Sequence, residues 1–205
     1  INHEIRTPMT TILGYVELLS VQGLLGADEQ TRAYQTINTN ANHLLKLIDE
    51  ILDLSKLEIG EFNVNTEKVD PKKVLSDLYN IMRFKTDKKN IDLKFNFKTP
   101  IPDKVLSDSK RIKQALFNVL NNAVKFTVEG GVEMDIYFDK EQCSLTFIIK
   151  DTGLGINDKA KSEIFKIFSQ ENTNYNRNYS GTGLGLALTK KILNELGGDI
   201  KLDYS

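Results

Sequence analysis

The sequence predicts an α+β protein in two parts. The first is a helical hairpin that must share its apolar face with a second copy, giving a dimeric four-helix bundle. The second is an α/β sandwich with helices on one face of a sheet. Three observations point there. Apolar residues recur at alternating spacings of four and three through the first 59 residues. Beyond about residue 62 the texture changes to alternating helical and period-two segments. A two-helix hairpin alone cannot enclose its own apolar stripe, so a second copy is the simplest cover.

In the first helix Ile1, Ile5, Pro8, Ile12, Tyr15 and Leu19 form the seam, and in the second Tyr34, Ile37, Ala41, Leu44, Ile48 and Ile51. A break at 23–27 separates them, with Asp28 read as the N-cap and Gly60 as the stop. The domains are therefore set at 1–61 and 62–205. Residues 71–88 read as an amphipathic helix with Pro71 in its first turn. IDLKFNFK (91–98) alternates as a half-buried strand, and 108–126 is a helix opened by Asp108. Residues 132–139 and 143–150 read as a hairpin of strands, 157–168 as a helix, 169–181 as a polar loop, 183–196 as a helix and 199–204 as a further strand.

Composition narrows the possibilities without naming a chemistry. The apolar fraction is 40% and the charged fraction 27%, and 27 basic residues nearly cancel 28 acidic ones. No broad basic face is implied, so nucleic acid is not expected as a partner. Cys143 is the only cysteine, which excludes an internal disulfide and fits a reducing compartment. No run of about 18 apolar residues occurs, so a membrane could be reached only through segments outside this stretch. Position 1 falls inside a helical pattern, and no signal peptide is read.

Four motifs carry chemistry. His3 and Thr7 lie one helical turn apart, Glu4 adjoins His3, and Ile1 and Ile5 flank it so that the imidazole is expected to point away from the seam. A histidine beside a carboxylate suits a nucleophile, because a bond to one ring nitrogen leaves the other free to attack. A solvated surface histidine is the plain alternative. Pro8 tips the balance, since a proline inside a helix costs on the order of 3 kcal/mol. His43 has no such company. Asn118, Asn122 and Lys125 project from one helix face, where amide oxygens suit Mg²⁺ and an ammonium suits phosphate. DTGLGI (151–156) ends a strand with a carboxylate able to accept from an adenine amino group, above a turn shaped by Gly153 and Gly155. An aspartic protease would need a second such aspartate, which the chain lacks. SGTGLGLAL (180–188) places Gly181, Gly183 and Gly185 at a helix start, where amides and the helix dipole favour phosphate. It has neither the Rossmann spacing nor a P-loop ending.

In order and spacing these segments resemble the catalytic core of sensor histidine kinases, whose nucleotide domain has the Bergerat fold shared with gyrase, Hsp90 and MutL. HEIRTP (3–8) is similar to the phosphoacceptor box, NVLNNAVKFT (118–127) to the N box and DTGLGI to the first glycine box. IFKIFSQ (164–170) is similar to the phenylalanine box, SGTGLGLAL to the second glycine box, and ILDLSKLEIG (51–60) to the end of the second dimerisation helix. The resemblance implies that His3 is phosphorylated from Mg-ATP, that Glu4 polarises it and that Thr7 positions water when the partner is dephosphorylated. Asn122 with Asn118 would hold Mg²⁺, and Lys125 would meet phosphate. Asp151 would read adenine over Gly153 and Gly155. Residues 169–181 would be an ATP lid carrying Arg177 to the γ-phosphate, and Gly181, Thr182, Gly183, Leu184 and Gly185 would line the phosphates. It further implies a homodimer through residues 1–59, a response regulator receiver domain as partner, and a place as the cytoplasmic portion of a membrane-anchored sensor. Against the family pattern, Ser180 stands at a common glycine and Asn178 at a common basic position, and the chain reads as a piece of a longer one.

Two other functions compete. An ATP-hydrolysing clamp would need a water-activating carboxylate on the nucleotide helix, and the run from Asn118 to Lys125 has none. A non-catalytic nucleotide-binding dimeric scaffold would need none of the positions around His3.

Overall fold

A computed structural model describes residues 2–21, 24–167 and 183–203, with the side chains of His3, Asp158 and Lys159 left aside. The chain forms two compact units, residues 1–62 and 63–205.

In the first unit α1 (Asn2–Ser20) and α2 (Ala27–Glu58) pack as a hairpin. Pro8 is buried inside α1, and Ile5, Ile12, Tyr15 and Leu19 are half-buried, as the seam requires. On α2 the expected seam divides. Ile37, Leu44 and Ile51 are half-buried, but Tyr34 and Ile48 are exposed, and the buried apolar positions are Ala33, Leu47 and Leu54. These three fall on one heptad position, so the helix carries two adjoining apolar stripes. One closes the hairpin. The other is open, with Tyr34 61%, Leu45 60% and Leu52 52% exposed, and it continues on α1 through Met9, Leu13 and Val16. The cap of α2 also differs from expectation. Gly26 takes the extended cap conformation and the Glu29 carboxylate accepts its N–H at 2.9 Å, which places Asp28 inside the first turn. There it still faces the positive end of the helix dipole. Gly60, at φ +71°, ends α2 as expected, with Glu61 N–H closing back on Lys56 O.

The second unit is built on a three-stranded mixed sheet, β2 (Asp92–Phe97), β4 (Gly131–Asp139) and β5 (Ser144–Asp151), in the order β2-β4-β5. β2 runs parallel to β4, and β4 antiparallel to β5. Helices α3 (Pro71–Lys89) and α4 (Ser109–Phe126) cover one face. Val132, Met134 and Ile136 of β4 meet Leu78 and Met82 of α3 and Leu120 and Val124 of α4 in a closed core. The predicted caps hold: Pro71 occupies the first turn of α3, and the Asp108 carboxylate accepts from Arg111 N–H at 3.0 Å. A small antiparallel ladder, β1 (Glu67–Val69) with β3 (Val105–Ser107), lies outside the sequence reading. Three residues are too few to show a period.

Two expectations are corrected. Residues 157–168 are not one helix: α5 spans only Asp158–Lys161, capped by Asn157, and 162–167 continue as turns. Residues 199–203 are not a strand, because they pair with no neighbour among the described residues and period-two patterning without a ladder leaves extended chain. α6 (Gly185–Glu195) packs against α4.

The open face of the sheet carries a polar cluster. Asp135, 5% exposed, accepts from the Asn96 amide at 2.9 Å and pairs with Lys98 at 3.1 Å and Lys150 at 3.5 Å, while Asn96 also bonds Glu133. The Asn96 hydrogen bond first, then Lys98, hold its carboxyl below the ordinary carboxylate range. A depressed folded-state value means that this stabilisation is complete above about pH 4 and is lost as pH falls through the folded value. Asp135→Asn is therefore expected to lower the melting temperature at neutral pH. The gap from wild type should close as pH drops below 4, and a gap independent of pH would contradict this.

Candidate functional site

The site in the second unit is organised by α4. Its inner face is apolar, with Leu116, Leu120, Ala123 and Val124 buried. The opposite side presents Asn118, Asn122 and Lys125, one turn apart as their spacing requires. Near its middle, the Asn118 Nδ2 donates to Gly185 O and to Thr189 Oγ1, both at 3.4 Å, and Thr189 Oγ1 donates to Gly185 O at 2.8 Å. Asn118 is buried at 7% exposure. Its amide nitrogen ties α4 to the first turn of α6, a positioning task that the sequence did not separate from metal binding.

At its end α4 touches the other glycine loop. Gly153 turns so close to the helix that a Cβ would lie 2.7 Å from Phe126 O and 2.7 Å from an Asp151 carboxylate oxygen. Gly153 N–H donates to that same Asp151 oxygen at 2.9 Å, which fixes the exposed carboxylate at the end of β5. Gly155 sits at φ +70°. Thr152 stitches the loop from behind: its hydroxyl donates to Glu129 O at 2.8 Å and accepts Gly131 N–H at 3.0 Å. Sequence reading passed over Thr152, though a hydroxyl between Asp and Gly at a strand end is a fair signal for such a clasp.

The two contacts of α4 are eight residues apart, about 12 Å along a helix. Asn122 lies between them, half-buried and without a side-chain hydrogen bond to any described residue. Its amide oxygen is a hard donor of the type Mg²⁺ takes, and Mg²⁺ is usually held by one or two protein ligands together with substrate phosphates. No group of three or more His, Cys, Asp or Glu side chains fit to cage a metal occurs among the described residues. The donor set thus fits a metal carried mainly by phosphate. The Lys125 ammonium lies 4.7 Å over the Phe126 ring. Gly183, at φ +64°, and the buried Leu184 lead into α6, whose N-terminal amides open beside Asn118.

Asn118, Asn122, Lys125, Asp151, Gly153, Gly155, Gly183, Leu184 and Gly185 therefore belong to one connected stretch of the second unit. Arg177, Gly181 and Thr182 lie outside the described residues, as does the whole of the loop 169–181 read as a lid. In the first unit His3, Glu4 and Thr7 share the N-terminal turns of α1. Glu4 is half-buried, Thr7 is exposed, and the Thr7 carbonyl accepts the Thr11 hydroxyl at 3.0 Å.

Residues 1–60 match the His Kinase A (phospho-acceptor) domain, and residues 107–205 match the histidine kinase-, DNA gyrase B- and HSP90-like ATPases. The signal transduction histidine-protein kinase BarA of Escherichia coli (strain K12) is 35% identical over 204 residues, covering 97% of this chain and 22% of that protein. The autoinducer 2 sensor kinase/phosphatase LuxQ of Vibrio parahaemolyticus is 34% identical over 205 residues, covering 98% and 24%. The chain thus spans less than a quarter of the length of these relatives. Among solved structures, full-length ShkA in complex with AMPPNP superposes with a TM-score of 0.71 at 29% identity, covering 95% of this chain and 40% of that one. The kinase ThkA in complex with the response regulator TrrA shares the fold, with a TM-score of 0.65 at 24% identity over 96% of this chain and 53% of that one.

The tight approach at Gly153 separates it from a glycine in open space. Gly153→Ala is expected to destabilise the chain by about 1–3 kcal/mol. Gly14→Ala, inside α1 with nothing within 4 Å of a new Cβ, should stabilise by about 0.5–1 kcal/mol. Chemical denaturation of both variants checks the contrast.

Proposed function

The chain belongs to the sensor histidine kinase family, a phospho-acceptor hairpin followed by a histidine kinase-type ATPase domain, and from that premise we propose that it phosphorylates His3 from Mg-ATP and passes the phosphoryl group to an aspartate of a response regulator receiver domain. The observation that carries this reading is that α4 meets both glycine loops, bonded to Gly185 through Asn118 and packed tightly on Gly153 at the Phe126 carbonyl, while Asn122 between them makes no side-chain hydrogen bond to any described residue.

In this reading Asp151 accepts from the adenine amino group, and the close turn at Gly153 leaves room for a flat ring against the end of α4. Asn122 offers its amide oxygen to Mg²⁺, with Asn118 beside it chiefly as the anchor of α6. A bound Mg²⁺ would neutralise phosphate charge during transfer. Lys125 and the amides of the 181–185 segment meet the phosphates, helped by the positive end of α6. Arg177 is assigned to the γ-phosphate. The nucleophile is a ring nitrogen of neutral His3. A phosphorus–nitrogen bond forms as the bond from the γ-phosphorus to the β,γ-bridging oxygen breaks, and ADP leaves. Glu4 holds the proton on the other ring nitrogen. Transfer to an aspartate then regenerates His3, and Thr7 positions water where the chain instead dephosphorylates its partner.

The open stripe of Met9, Leu13 and Val16 with Tyr34, Leu45, Ile48 and Leu52 supports a homodimer, since apolar residues repeating at four and three on both helices match a self-complementary bundle. No described helix is long and apolar enough to cross a membrane. We place the chain as the cytoplasmic portion of a larger, membrane-anchored sensor.

Incubation with γ-labelled Mg-ATP tests the reaction. Acid-labile, base-stable label on the chain, absent in His3→Gln, is expected. Free phosphate without label would instead indicate an ATP-hydrolysing clamp, and bound nucleotide with neither would indicate a scaffold. Asn122→Asp is expected to abolish labelling while leaving the dimer intact by light scattering; a labelled Asn122→Asp chain would remove Asn122 from the metal site.

A further inference from the structure

We infer that Lys89 is a positioning residue for nucleotide binding, acting by holding the C-terminal turn of α4 against the Asp151–Gly153 loop; the inference rests on the nucleotide site proposed above. Lys89 is the last residue of α3. Its ammonium donates to Val124 O at 2.7 Å, Lys125 O at 2.8 Å and Thr127 O at 2.9 Å. Three such bonds match the three donors of an ammonium. The preceding carbonyl, Ala123 O, is taken by the N–H and hydroxyl of buried Thr127 at 3.1 and 2.8 Å. Between Lys125 O and Thr127 O lies Phe126 O, the wall against which Gly153 packs.

Lys89 thus fixes the carbonyls immediately before and after the one that shapes the Asp151 loop, in the turn that also bears Lys125. A cation there meets the negative end of the α4 dipole. Partial withdrawal from water lowers the pKa of Lys89, which agrees with an ammonium drawn onto a helix end.

The same contacts argue against a role confined to folding. Helices α3 and α4 are already joined through Leu78, Met82, Leu120 and Val124 in the closed core. Removing the ammonium leaves that core in place and releases the last turn of α4, so the effect falls on the ligand.

The test uses the full chain and Mg-ATP, at a temperature well below the melting point of each protein. Lys89→Met is expected to weaken ATP binding, and to raise KM for labelling, about tenfold, the size of a lost hydrogen bond to a charged group. At saturating ATP the labelling rate should stay near wild type, and Lys89→Arg, which keeps a cationic donor, should recover most of the affinity. Lys89→Met binding ATP within about twofold of wild type would overturn the inference. So would loss of folding by circular dichroism in both Lys89→Met and Lys89→Gln, which would assign the residue to folding alone. A wild-type chain that binds no ATP is a different failure, that of the function itself.

Discussion

One helix has to satisfy two surfaces at once. The inner side of α4 closes the core of the second unit, and its outer side carries Asn118, Asn122 and Lys125, the polar groups on which the proposed chemistry rests. Those groups are useful only if two loops far apart in sequence are brought to the same helix. Asn118 does this at Gly185, and the Phe126 carbonyl does it at Gly153. Behind them Thr152 clasps the 129–131 turn, and Gly153 N–H holds the Asp151 carboxylate at the strand end.

The hairpin meets a different constraint. It buries one stripe within itself and leaves a second, on Met9, Leu13, Val16, Tyr34, Leu45 and Leu52, in water. Apolar area of that size is costly to hydrate, so the same pattern that builds the hairpin calls for a second copy. His3 lies on the first turns of α1.

Much of this was legible because certain residues have one physical use. Pro71 and Asp108 mark helix starts, and Gly60 marks a stop, since each supplies a backbone geometry or acceptor that few residues can. The order of the glycine and asparagine segments was legible for the same reason. What failed was pattern without partner. The 157–168 stretch has helical composition, yet only four residues form a helix, and 199–203 alternates without a neighbouring strand. The seam of α2 was read as one stripe because Ile37, Leu44 and Ile51 serve both stripes, and only packing shows that Ala33, Leu47 and Leu54 turn inward. Asn118 was grouped with Asn122 because both share a helix face; a long-range hydrogen bond to α6 distinguishes them, and no local spacing reports it.

The central claim is that Asn122, the Asp151–Gly155 loop and the start of α6 form a single nucleotide site. Hydrogen exchange of the full chain with and without Mg-ATP tests this most directly. Slowed exchange appearing together in the last turns of α4, in 151–155 and in 183–186, at the same nucleotide concentration, is the predicted result. Protection confined to one of these segments, or absent from all three while ATP is bound, would contradict the account.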